Sequence, residues 1–125
     1  MNTNERYEKG RQLFEKLHGK HAGEMIVNSV ADICPDLERF TMEWGFHDIM
    51  SRHDKLDLKT RELAIIASLV TLGGLPDHLN AHIEAALNVG VKKEEIVEII
   101  LQLGLYAGFP KASSAMMSSK ALLKR

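Results

Sequence analysis

Apolar residues recur every three or four positions along most of this sequence, the spacing that places side chains on one face of an α-helix. Strict alternation of apolar and polar residues, which is typical of half-buried strands, is rare, and no Asn-Gly hairpin turn occurs. The pattern therefore predicts an all-α fold. A chain of 125 residues fits one domain. We expect residues 1–125 to form a single-domain bundle of about six or seven helices.

Glycine and proline residues mark where the predicted helices begin and end. Gly73 and Gly74 end the fourth helix, and Pro76 opens the fifth, because the N–H that proline lacks would be unpaired in a first turn. Gly90 fits the left-handed position after the fifth helix. The helices are expected over residues 3–18, 23–33, 35–49, 58–72, 76–89, 92–107 and 111–125.

Three helices carry specific expectations about burial. Residues 58–72 are apolar nearly all round, so we expect this helix to be buried on most sides. Residues 23–33 are expected to turn Met25, Ile26 and Val30 inward. In the third helix, helical spacing favours core packing for the apolar residues and leaves His47 as a candidate to face a cleft. The apolar residues expected inward there are Leu37, Phe40, Trp44 and Phe46.

The sixth helix has more apolar surface than one side of a helix can bury. Gly104 and Gly108 would allow a second backbone to approach it closely. We expect an intersubunit contact here, because large exposed apolar patches on small domains are rarely without function. The alternative is that Gly104 only relieves crowding within the subunit.

Charge and cysteine content exclude several classes of protein. The net charge is −1 and the basic residues are dispersed, which argues against nucleic acid as a partner. Cys34 is the only cysteine, so no intrachain disulfide can form and a reducing compartment is expected. The N-terminal residues lack the apolar segment of a signal peptide, and no apolar run reaches the ~20 residues of a membrane span. We expect a cytoplasmic protein without a membrane partner.

Two histidines four residues apart, His78 and His82, are expected on one face of the fifth helix. This spacing suits zinc only with a third ligand, and Leu79 stands where a metalloprotease helix carries glutamate. A metal-free acid–base or ligand-polarising pair is the second interpretation. In the third interpretation, the two histidines simply face the solvent or the edge of the core.

Glu62 is the nearest acidic candidate to this histidine pair. An antiparallel hairpin centred on Gly74 places Glu62 opposite Ala86, which leaves an axial offset to His82 of about four residues, or ~6 Å. A direct contact between Glu62 and His82 therefore needs a crossing angle, a water or a neighbouring subunit. Asp77 points about 100° away from His78 and is expected to stabilise the helix N-terminus instead.

One long stretch resembles a known family: "TRELAIIASLVTLGGLPDHLNAHIEAALNVGVKKEEIVEIILQLGLYAGFPKA". It is similar to the carboxymuconolactone decarboxylase family, and the resemblance covers roughly residues 30–120. The segments "RYEKG" and "FTMEWGFHDIM" are also similar to the decarboxylase branch of that family. The resemblance implies the all-helical fold of the alkylhydroperoxidase D proteins. In the peroxidase branch, two cysteines precede the matching histidine by seven and four residues. Leu75 and His78 occupy these positions, so thiol peroxidase chemistry lacks its nucleophile and its resolving partner.

The resemblance implies a carboxy-lyase that decarboxylates a lactone such as 4-carboxymuconolactone without a cofactor or metal. His82 matches the family position and is expected to act as the acid or the oxyanion partner. His78 would assist, Glu62 would orient or tune the pair, and Arg61 would bind the substrate carboxylate or form an ordinary surface ion pair. A homotrimer or homohexamer is implied. The alternatives are a peroxidase-related member that uses an external thiol, and a non-catalytic oligomer that binds a small acid or a metal.

Overall fold

The computed structural model describes residues 3–19 and 27–125, which contain six α-helices and one π-helical segment and no strand. The predicted all-α fold is confirmed. In chain order, the elements are α1 (Thr3–His18), α2 (Pro35–Phe40), the π-helical segment (Thr41–Met50), α3 (Leu58–Leu72), α4 (Pro76–Asn88), α5 (Lys93–Tyr106) and α6 (Phe109–Lys124).

Most helix boundaries lie where the sequence predicts them, because local residues set them. Gly73, Gly74 and Gly90 have φ angles of 73°, 72° and 97°, which glycine adopts without steric cost. The predicted helix over 23–33 can be compared only in part, because residues 23–26, which include Met25 and Ile26, lie outside the described residues. Residues 27 and 28 are helical, and residues 29–33 form turns. Helix α6 begins two residues earlier than expected, so Pro110 lies in its first turn.

The chain divides into two compact units, Met1–Leu58 and Lys59–Arg125. In the first unit, α1 packs against the π-helical segment. The rings of Phe14 and Phe46 meet edge to face with centroids 5.0 Å apart, and both side chains are buried. Gly10 allows the close approach, because a Cβ at this position would lie 1.8 Å from the carbonyl oxygen of Met42.

The prediction of which apolar residues of the third helix are buried is partly wrong. Phe46 is buried as expected, but Leu37, Phe40 and Trp44 are 48%, 52% and 66% exposed. This helix carries a second apolar face that includes Met42, and the structure packs that face towards α1. From Thr41 onward, the π-helical hydrogen bonds span one residue more than α-helical bonds, so α-helical spacing no longer identifies the buried positions there.

Ion pairs join α1 to the next two elements of the first unit. Arg6 donates two hydrogen bonds to the carboxylate of Asp48, at 3.2 and 2.6 Å. This pairing lowers the pKa of Asp48 below its ordinary value. The hydroxyl of Tyr7 donates to Glu38 at 2.5 Å, and burial followed by this hydrogen bond raises the pKa of Tyr7. His47 is half-buried, with Nε2 4.0 Å from Asp48 Oδ1.

The second unit has a continuous apolar core formed by α3 to α6. Its buried members are Ile66, Val70, Leu79, Ile83, Ala86, Val91, Ile96, Ile100, Leu103, Ala112 and Ala115. The expectation that α3 is buried on most sides is wrong. Ala64 and Ser68 are exposed, and Leu72 is 66% exposed, because the neighbouring helices cover mainly the face that carries Ile66 and Val70.

The end of α5 and the start of α6 expose a group of large apolar side chains. Leu101, Leu105, Tyr106 and Phe109 are between 61% and 84% exposed. Three of them border a groove of about 510 Å³, whose lining is Glu98, Ile99, Leu101, Gln102, Gly104, Leu105 and Phe109. We call the four exposed side chains of Leu101, Leu105, Tyr106 and Phe109 the α5–α6 corner. Among the described residues, no helix combines the length and the apolarity needed to cross a membrane.

Candidate active site

A tight turn between α3 and α4 positions the predicted site residues. Gly73 and Gly74 both adopt the left-handed conformation, and Pro76 follows in the first turn of α4. The ammonium group of Lys111 donates to the carbonyl oxygen of Leu72 at 3.0 Å, which places a cation at the negative end of α3. The turn therefore holds the two helices that carry Glu62 and His82.

Glu62 and His82 are in direct contact. Glu62 Oε1 lies 2.8 Å from His82 Nδ1. The Glu62 side chain is completely buried, whereas the imidazole of His82 remains 21% exposed. A carboxylate so far from water is stable only with a partner, and a short hydrogen bond to an imidazole supplies one. The pair thus joins a buried anion to a ring that reaches the surface.

This contact defines the roles of the two imidazole nitrogens. An ionised Glu62 carboxylate only accepts hydrogen bonds, and in that state Nδ1 carries the proton that is donated to Glu62. Nε2 is then the nitrogen that can exchange a proton with a bound molecule. Glu62 Oε2 is buried and accepts no hydrogen bond from the described residues. The geometry therefore suits orientation of His82 by Glu62 better than a proton relay through Glu62.

The structure realises the direct contact within one chain, with no need for a bridging water or a second subunit. The α3–α4 pair must depart from the ideal antiparallel register that gives the ~6 Å offset. His78 is exposed on the first turn of α4, one turn before His82. Arg61 is half-buried on α3. Asp77 is exposed in the first turn of α4, where a negative charge stabilises the helix dipole.

Sequence reasoning missed a second buried carboxylate, which lies in the first unit. Glu43 is 2% exposed and accepts a hydrogen bond from Arg39 at 3.1 Å. Arg39 precedes it by four residues, so the pair could have been found from helical spacing. An arginine and a glutamate four residues apart usually form an exposed pair on a helix surface. Nothing in the local sequence indicates that Glu43 is buried instead.

The donor residues offer no ready metal centre. Within residues 3–19 and 27–125, no three or more His, Cys, Asp and Glu side chains are grouped as metal ligands would be. Structural and catalytic zinc sites use at least three protein ligands. Glu62 and His82 form a pair of possible ligands, which is fewer than such a site uses.

Residues 35–118, more than half of the chain, match the model of the Carboxymuconolactone decarboxylase family. The chain belongs to this family. The matched range contains α2 to α5, most of α6 and the Glu62–His82 pair. The family assignment made from the sequence motifs is confirmed.

Three individual proteins are also similar to this chain. A 4-carboxymuconolactone decarboxylase from Acinetobacter baylyi is 34% identical over 125 residues, covering 99% of this chain and 91% of that protein. An uncharacterized 15.0 kDa protein encoded in the nqo9–nqo10 intergenic region of Paracoccus denitrificans is 29% identical, covering 72% of this chain and 67% of that protein. Peroxisomal protein 2 of Schizosaccharomyces pombe is 28% identical, covering 71% of this chain and 41% of that protein.

Proposed function

We propose that this protein is a cofactor-free carboxy-lyase that decarboxylates a carboxylated lactone similar to 4-carboxymuconolactone. The contact between Glu62 and His82 carries the proposal, because it joins a buried carboxylate to an imidazole that reaches the surface. The 34% identity to a protein named 4-carboxymuconolactone decarboxylase supports the substrate class. The absence of cysteine at positions 75 and 78 argues against thiol peroxidase chemistry at this site.

The proposed reaction needs one electron sink and one proton. The bond between the substrate carbon and its carboxylate breaks, carbon dioxide leaves, and the electron pair moves into the lactone carbonyl. When His82 carries a proton on both ring nitrogens, its N–H group at Nε2 stabilises the negative charge that develops on that oxygen, or it supplies the proton that the carbon acquires. Both roles use the nitrogen that does not face Glu62.

Glu62 serves as a positioning residue in this mechanism. Its hydrogen bond to Nδ1 fixes the orientation of the His82 ring and leaves Nε2 as the nitrogen for the substrate. Because Oε2 is buried, with no partner among the described residues, it offers no evident path for a proton from Glu62 to solvent. His82 would therefore recover its proton through Nε2.

Two further residues complete the proposed site. His78 lies one helical turn before His82, close enough along α4 to assist a bound anion. Arg61 adjoins Glu62 in the sequence and has the planar, bidentate donor geometry that suits a carboxylate. We assign substrate binding to Arg61 and assistance to His78. An increase in KM with little change in kcat for Arg61→Gln would support this assignment for Arg61, whereas equal losses in kcat and kcat/KM would contradict it.

We also propose that the protein acts in the cytoplasm as a homotrimer or homohexamer, with the α5–α6 corner as a subunit contact. A patch of exposed leucine, tyrosine and phenylalanine side chains is unfavourable in water unless it is covered. Leu105→Glu places a charge in the corner and should shift the sedimentation coefficient towards that of a monomer. Lys120→Glu, an exposed change on α6, is the control. A wild-type monomer at micromolar concentration would contradict the proposal.

The decisive experiment measures carbon dioxide release from 4-carboxymuconolactone by the purified protein. We expect release by the wild type and by Cys34→Ala, because Cys34 has no role in the proposed mechanism. Folded wild-type protein that releases no carbon dioxide would refute the decarboxylase proposal. If Cys34→Ala instead abolished a peroxide reduction that depends on added thiol, the peroxidase alternative would be favoured.

A further inference from the structure

We draw no further inference here: the strongest candidate, the exposed apolar surface patch of Ile33, Leu37, Phe40 and Trp44 at and beyond the start of α2, carries none because nothing in the structure shows what covers it.

Discussion

Among the described residues, each of the two units buries one glutamate, and the partner of that glutamate differs. In the first unit, Glu43 accepts a hydrogen bond from the guanidinium of Arg39, which itself remains partly exposed. In the second unit, Glu62 pairs with the imidazole of His82. Each glutamate has one carboxylate oxygen, Oε2, that is buried and accepts no hydrogen bond from the described residues. The two carboxylates are therefore similar in burial and in the number of hydrogen bonds that they accept, and they differ mainly in the partner residue.

The difference shows which buried carboxylate can contribute to chemistry. Arginine keeps its proton at any physiological pH, so the pair of Arg39 and Glu43 can only attract and orient. Histidine gains and loses a proton near neutral pH and has a second nitrogen for a ligand. The pair of Glu62 and His82 can therefore support a reaction. We expect matched substitutions in the two pairs to affect different properties of the protein.

The largest expected effect comes from His82→Gln, which keeps the size of the side chain but cannot exchange a proton. Decarboxylation should fall on the order of 10²–10⁴-fold, the usual contribution of a general acid or base. Carbon dioxide release under saturating substrate measures the loss, and circular dichroism confirms that the helices remain. Activity within about twofold of the wild type would exclude His82 from the proposed chemistry.

Glu62→Gln should lower kcat by roughly 10- to 100-fold with little change in KM, because a hydrogen bond to a charged group contributes about 1.5–3 kcal/mol. Glu43→Gln is the matched control and should leave kcat close to the wild-type value. In ¹⁵N NMR spectra, the wild-type His82 ring should carry its proton on Nδ1, whereas Glu62→Gln should give a mixture of tautomers. Equal losses in both variants would mean that burial, and not the histidine partner, matters.

A substitution at Gly10 tests how closely α1 packs against the π-helical segment in the first unit. Gly10→Ala would place a Cβ 1.8 Å from the carbonyl oxygen of Met42, so α1 must move away from the π-helical segment. We expect a loss of roughly 1–3 kcal/mol in the free energy of unfolding, as for other overpacked sites.

Gly45→Ala is the control for this substitution, because a Cβ at Gly45 meets no atom within 4 Å. Urea denaturation of the two variants compares them directly. Similar stabilities for Gly10→Ala and Gly45→Ala would show that α1 and the π-helical segment are not in close contact at Gly10.

The smallest expected effect concerns the partly exposed pair of Arg6 and Asp48. Because the hydrogen bond from Arg6 lowers the pKa of Asp48 in the folded state, the pair stabilises the protein fully above the unfolded pKa of about 3.9. This stabilisation is lost as the pH falls through the lower, folded value. Asp48→Asn should thus be slightly less stable than the wild type at pH 7, and the difference should shrink in acid. A difference that is independent of pH between 7 and 2 would contradict this assignment.

The turn between α3 and α4 could be predicted because its causes are local. Two glycines and a proline within four positions end one helix and start the next, whatever surrounds them. The exposure of Phe40 and Trp44 could not be predicted in the same way. The helix over residues 35–50 carries two apolar faces, and only the arrival of α1 decides which of them is covered.

The sequence alone determined the helical class, most of the helix boundaries and the family, since each depends on local spacing or on a motif. Only the tertiary structure decided that Glu62 lies in the core and touches His82. A contact across 20 positions depends on how two helices cross, which side-chain spacing does not encode. The same limit applies to the π-helical segment and to the burial of Glu43, because both depend on what packs against them.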